Sequence, residues 1–254
     1  MVLNFRKLGE QGPVLMILHG LFGSSDNWQS LGRVLAEKFQ VYLVDQRDHG
    51  RSPHTEEMNY SLMAADVKAL MEQEGLSNVN LVGHSMGGKT AMTFAQHYPE
   101  MLHKMVIVDI GPKQYEDRHS SILEGMITAN LNVLGSRKAV EKHLAEYVPE
   151  PGVRQFLMKN LYWIADGKLA WRLNLDLLKR DLSNIVASID PERVQLPTLF
   201  INGGISDYIL KEDIPAIKEQ FPRSRFETIP FAGHWIHVQA PDDFIGMVTE
   251  FINE

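Results

Sequence analysis

The sequence contains no cysteine among its 254 residues. That excludes disulfides, thiolate-held zinc and a cysteine nucleophile. It also lacks any long apolar run: nothing approaches the roughly 18 consecutive apolar residues that a membrane span requires. The opening MVLNFRKLGEQGP has no apolar core of a secretory signal, and the closing EFINE matches no lipidation or retention signal. A soluble cytoplasmic protein is the expectation. Positive charge is scarce too. Lysine and arginine number 25 against 32 acidic residues, a net charge of −7 with histidines neutral. Binding to phosphate backbones draws on clustered Lys and Arg, so no nucleic-acid partner is expected. Neither an internal repeat nor a low-complexity linker is present. What is there is an ordinary globular composition, 44% hydrophobic and 22% charged, on a chain long enough for one domain with a decoration.

Short apolar runs alternate with longer periodic segments in the first part of the chain. PVLMILHG (13–20), VYLVD (41–45), NVNLVG (78–83) and KMVIVDIGP (104–112) read as buried strands. Between them, 24–38 reads as a helix with Ser24 or Ser25 as N-cap, 61–75 as a helix ending at a glycine, and 86–99 as a third. This alternation predicts a mostly parallel sheet with helices on both faces, its strand C-termini and their loops sharing one edge. From about 112 to 190 the pattern breaks into helical or irregular sequence with no buried strand. It resumes with LPTLFING (196–203), a helix around 212–221, a strand near 225–230 and a last helix around 241–253. The expected organisation is an α/β core of residues 1–111 and 191–254 beneath a helical cap of 112–190. The cap carries 11 basic and 10 acidic side chains, so the acidic excess belongs to the core.

One stretch, VNLVGHSMGGKTAM (79–92), satisfies two incompatible patterns. Gly83 to Gly87 spell the G-x-S-x-G nucleophile elbow of acyl chemistry. Gly83 to Thr90 also spell G-x-x-x-x-G-K-[ST], the phosphate-binding loop, and M-V-I-V-D (105–109) resembles a strand ending in a magnesium-holding Asp. Both motifs want a strand before and a helix after, so the local sequence does not choose. The surrounding motifs do. Serine acyl transfer needs a histidine base, an acid to orient it and donors for the oxyanion, in chain order Ser, acid, His. Ser85 follows one strand, Asp109 ends the next, and His234 in F-A-G-H-W precedes the last helix. H-G-L-F-G (19–23) follows an early strand, where backbone N–H groups can face the serine. A nucleotide hydrolase would need none of these.

H-G-L-F-G-S-S-D-N-W, D-Q-R-D-H-G-R-S-P, G-H-S-M-G-G-K, V-D-I-G-P and G-H-W-I-H together resemble the α/β-hydrolase superfamily from end to end. More narrowly, H-S-M-G-G-K, D-I-x-P and the G-G-x-S-x-Y loop (Gly203 to Tyr208) resemble the small esterase branch typified by the bacterial esterase YbfF. The resemblance implies an α/β-hydrolase fold with a helical cap insertion, and it makes Lys89 a helix residue instead of a phosphate ligand. It places the base at His234, which the tight-loop Gly233 also favours, over its rival His237. It takes the acid from the strand beside the elbow, Asp109, with Asp207 as the alternative and Ser206 as a hydrogen-bonding neighbour. Asp48 departs from the smaller or uncharged residue usual in D-x-R-x-H-G-x-S.

For the oxyanion, Met86 N–H and a donor from the H-G-L-F loop are expected, Leu21 ahead of Phe22. Trp28, Trp235 and Tyr208 are the expected pocket residues. Most cap aromatics, among Tyr115, Phe156, Tyr162, Trp163 and Trp171, are read as packing. His19, His49 and His84 are read as structural. The expected function is a serine hydrolase, a carboxylesterase or thioesterase, acting on a small acyl ester or thioester without metal or organic cofactor. A near-neutral cap would suit entry of an anionic acyl-CoA, although no compact basic cluster supports it. The competing readings are a triad used as a base (C–C hydrolysis, perhydrolysis, or elimination as in menaquinone synthesis) and a small-ligand receptor.

Overall fold

The computed structural model describes residues 1–165 and 167–254. Nine strands run in chain order: β1 (Phe5–Leu8), β2 (Val14–Leu18), β3 (Gln40–Val44), β4 (Val79–His84), β5 (Leu102–Val108), β6 (Leu161–Trp163), β7 (Leu169–Trp171), β8 (Thr198–Gly203) and β9 (Ser224–Ile229). Seven form one sheet in the order β1-β3-β2-β4-β5-β8-β9, parallel except where β1 pairs antiparallel with β3. Its strands are apolar on both faces because both are covered. In β5, Met105 and Ile107 point into one core and Val106 and Val108 into the other. Helices Tyr60–Gln73 and Met86–His97 cover the first face, and Gln29–Leu35 and Pro241–Asn253 the second.

Local chemistry sets the helix starts. Asn59 caps Tyr60–Gln73, its side chain accepting from Leu62 N–H at 2.9 Å. Pro241 occupies the first turn of Pro241–Asn253, followed by Asp242 and Asp243, whose charges suit a helix N-terminus. The expected helix at 24–38 is a 3-10 turn, Ser25–Trp28, continued by Gln29–Leu35, and Ser24 is its N-cap.

Two elements differ from the sequence reading. β1 was not foreseen: FRKL has no apolar run, yet an edge strand needs only one packed side chain, and Phe5 lies against Tyr42 at 5.5 Å between ring centres. In the segment expected to lack buried strand, β6 and β7 form an antiparallel hairpin with Leu161 and Leu169 buried. Aromatic residues at Tyr162, Trp163 and Trp171 favour that pairing over a helix. The remainder of the segment between β5 and β8 is helical, over Ser120–Thr128, Leu131–Leu134, Arg137–Leu144, Pro151–Met158, Leu175–Arg180 and Leu182–Val186.

These helices are joined to the sheet edge by buried polar contacts. Tyr60 OH donates to Ile185 O at 2.6 Å, Met58 N–H to Asp181 Oδ2 at 2.8 Å, and Asn160 Nδ2 to Phe22 O at 2.7 Å. Asp48, the departure noted above, accepts from Asn174 Nδ2 at 2.9 Å and from Thr55 N–H at 2.7 Å. No helix among the described residues is long and apolar enough to cross a membrane.

At the sheet's centre the backbone leaves no space for side chains. A Cβ on Gly83 would lie 2.2 Å from Gly87 O, and one on Gly87 would lie 2.4 Å from Leu18 O. Gly87→Ala is therefore expected to cost about 3 kcal/mol of stability, read as a lower denaturant midpoint at unchanged slope. A shift too small to resolve would contradict this account of the packing.

Candidate active site

The loops after β2, β4, β5, β8 and β9 converge at the C-terminal edge of the sheet. Ser85 sits between β4 and helix Met86–His97 with φ 52° and ψ −118°, a left-handed turn that a non-glycine residue adopts only under constraint. Gly88 and Lys89 N–H groups both return to Ser85 O, at 2.8 and 3.2 Å. Met86 N–H is left at the helix start, where first-turn donors have no intrahelical partner.

Asp109 directly follows β5 and is fully buried. Its Oδ1 accepts from Gly203 N–H at 2.9 Å, and its Oδ2 accepts from the Ser206 hydroxyl and from His234 Nδ1–H at 2.8 Å. A carboxylate only accepts, so Nδ1 carries the imidazole proton and Nε2 keeps the lone pair. Tyr208 stacks on the His234 ring, 3.9 Å between centres at 14°. His84 Nε2 donates to His234 O at 2.8 Å, tying the backbone of His234 to the end of β4.

The alternatives lie elsewhere. Asp207 is 58% exposed at its side chain and its Oδ1 meets Arg118 Nη1 at 2.7 Å; that bond holds its carboxyl below the usual range. His237 is buried and stacked on Trp28 at 4.0 Å, away from any carboxylate partner. Phe22 N–H donates to His49 Nε2 at 3.2 Å, whereas Leu21 N–H has no acceptor among the described residues. Lys89 Nζ donates to Lys113 O at 2.7 Å and to Ala187 O, so the lysine of the phosphate-loop pattern is spent on backbone carbonyls.

A cavity of about 220 Å³ opens between these loops and the helical segment above. Ser85, His234, Trp28, Trp235 and Tyr208 border it, and so do Ile122, Val153, Phe156 and Leu157 from above. A smaller cavity on the other side of Ser85 is bordered by Met86, Lys89, Tyr115 and Tyr208. Of the aromatics between β5 and β8, Phe156 and Tyr115 reach these cavities. His119, absent from the sequence reading, borders both; a single histidine in a helical stretch carries no signal of which side it faces. No cluster of His, Asp or Glu suited to a metal ion occurs among the described residues.

Several histidines around the site are neutral. Burial lowers His19, pushes His84 well below 6.5, and brings His49 and His237 down to about 3. The unfolded chain takes up protons at these rings near pH 6.5, while the native chain takes them up only at much lower pH. Their stabilising contribution is therefore complete above pH 6.5 and is lost progressively as pH falls from 6.5 towards 3. Thermal unfolding at stepped pH should show Tm declining from about pH 6.5, above the carboxylate range. A constant Tm from pH 7 to 5 would contradict it.

Comparison with known proteins agrees with this fold. The family described as the alpha/beta hydrolase fold matches residues 13–241. The sn-1-specific diacylglycerol lipase ABHD11 of Mus musculus is 39% identical over 251 residues, covering 94% of this chain and 81% of that protein. Esterase YbfF of Escherichia coli is 32% identical over 241 residues, covering 94% and 93%. The solved structure of a marine microorganism esterase superposes with a TM-score of 0.96 at 43% identity, covering 98% of this chain and 99% of that one. With its sheet order, its strained serine turn and these matches, the chain belongs to the α/β hydrolase fold family.

Proposed function

We propose that the protein is a serine carboxylic ester hydrolase that cleaves small acyl esters or thioesters through Ser85, His234 and Asp109. The observation that carries this reading is the bond from His234 Nδ1–H to a fully buried Asp109 oxygen, with His234 and Ser85 bordering one cavity. Asp109 holds the imidazole in the tautomer whose Nε2 accepts a proton, and it stabilises the imidazolium that follows. Ser85 Oγ attacks the acyl carbon as Nε2 takes its proton. The tetrahedral oxyanion is met by Leu21 and Met86 N–H at the helix N-terminus, worth about 3 kcal/mol of barrier per donor. His234 then returns the proton to the leaving alcohol or thiol, and water activated by the same nitrogen releases the acid. The esterase and lipase names of the relatives support ester cleavage. Residues 112–190 act as the cap that closes the cavity. Its apolar wall is suited to the hydrocarbon part of the substrate.

A fluorophosphonate probe should label Ser85 stoichiometrically, with the adduct located by mass spectrometry and lost in His234→Ala. Asp109→Asn should lower kcat/KM by about 10³-fold or more. Asp207→Asn, which removes only an exposed ion pair, should stay within about twofold. A folded protein without the adduct, or an Asp207→Asn loss as deep as that of Asp109→Asn, would sink the assignment. Turnover without an acyl-enzyme would favour the triad-as-base reading.

A further inference from the structure

The imidazole of His234 is held at its edge by one hydrogen bond, Nδ1–H to Asp109 Oδ2 at 2.8 Å. Its Cβ and that bond leave the ring free to turn about the line between them. Such a turn would carry Nε2 off Ser85, so the face of the ring needs a support of its own. Tyr208 lies against that face: the ring centres are 3.9 Å apart and the planes differ by 14°. His84, 4.8 Å away and tilted by 41°, makes no comparable flat contact.

Tyr208 is fixed from outside the pair. Its N–H donates to Ser206 Oγ at 3.3 Å, and its carbonyl accepts from Tyr115 OH at 2.8 Å. Tyr115 OH in turn accepts from Gly111 N–H at 2.7 Å, two residues beyond Asp109. The two phenol rings also pack, 5.2 Å between centres. The partners at the edge and at the face of the imidazole are thus tied to the same stretch of chain after β5.

The charge against that face changes when Nε2 takes a proton. A neutral imidazole on a phenol ring gains mainly dispersion. An imidazolium there is a cation over a π face, attracted by the ring quadrupole, and more strongly where water is excluded. The other titratable groups around His234 leave that attraction standing. Burial pushes His84 well below 6.5 and brings His119 to about 4 and His237 to about 3, so all three are uncharged at neutral pH. Arg118 lies 5.7 Å from the centre of the Tyr208 ring, half exposed and paired with Asp207 Oδ1 at 2.7 Å. Asp109 meets the imidazole at its edge and favours the same charged form.

We propose that Tyr208 is a positioning residue for His234: its ring fixes the plane of the imidazole and stabilises the imidazolium formed when Nε2 takes a proton. The proposal rests on the serine hydrolase reading for the reaction served. Because Tyr208 acts through His234, its contribution is the same for every ester, unlike that of a cavity wall.

The test follows proton uptake at His234 by NMR in the Ser85→Ala protein, with the resonance assigned by its loss in His234→Gln. Attraction to the ring favours the charged form, so removing the ring moves proton uptake to lower pH. Tyr208→Leu should lower the midpoint by about 0.5 to 1 in pH, and Tyr208→Phe, which keeps the face, should restore it. Phenylalanines with successive ring fluorines at position 208 keep the shape and withdraw electrons from the face. The midpoint should fall with each fluorine, which decides the matter even if the leucine variant does not fold. With Ser85 in place, Tyr208→Leu should lower kcat about tenfold for all acyl lengths at little changed KM, and the acid limb of kcat/KM should move to lower pH. A midpoint indifferent to fluorination would overturn the proposal, and so would a loss confined to KM. A midpoint that follows the ring in a protein without ester turnover would refute the serine hydrolase reading and leave the stacking assignment standing.

Discussion

The carboxylate of Asp109 is the point on which the site depends. It lies at the end of the β5 strand with no exposure to solvent, where an unsatisfied charge would be intolerable. Three donors meet it: the Gly203 N–H at the end of β8, the Ser206 hydroxyl in the next loop, and His234 Nδ1 after β9. One buried group thus fastens its own loop to those after β8 and β9, 94 and 125 residues away along the chain. Asp109 itself is held in a left-handed conformation, and its N–H is bonded to Ile201 O at 2.9 Å. The loops also approach closely. A Cβ on Gly203 would lie 2.4 Å from Gly233 O, next to the histidine that the carboxylate orients.

The segment between β5 and β8 is attached by the same kind of bond. Lys89, three residues into the helix that begins at the elbow, reaches Lys113 O where the chain leaves the core and Ala187 O where it returns. It is buried without a carboxylate partner, and burial lowers its ammonium to about 7. Its carbonyl partners supply the hydrogen bonds that such a group requires. Asp48 plays a matching part on the other side, accepting from Thr55 and Asn174. That segment is thereby referenced to the helix that follows Ser85.

Much of this was legible beforehand for local reasons. Buried parallel strands must be continuously apolar, so VLMIL, QVYLV and VNLVGH declared themselves, and the order of Ser85, Asp109 and His234 followed from which strands they end. β1 was not legible because an edge strand with one packed aromatic has no pattern to read. The β6–β7 hairpin was hidden because Leu161 and Leu169 meet only after the chain turns. His119 and Asn160 were missed because nothing local says which way a cap residue faces.

The sequence by itself determined the fold class, the serine turn and the candidates for acyl chemistry, because each is written in contiguous spacing and residue type. Only the tertiary structure gave chemically similar residues different surroundings. Asp109 and Asp207, His234 and His237, Leu21 and Phe22 are chemically alike and close in the chain. They differ in what is brought against them: a buried imidazole or an exposed arginine, a carboxylate or a tryptophan face, an open cavity or His49. Those partners come from distant segments, and hydrogen bonds act over about 3 Å, so the difference existed only once the chain had folded.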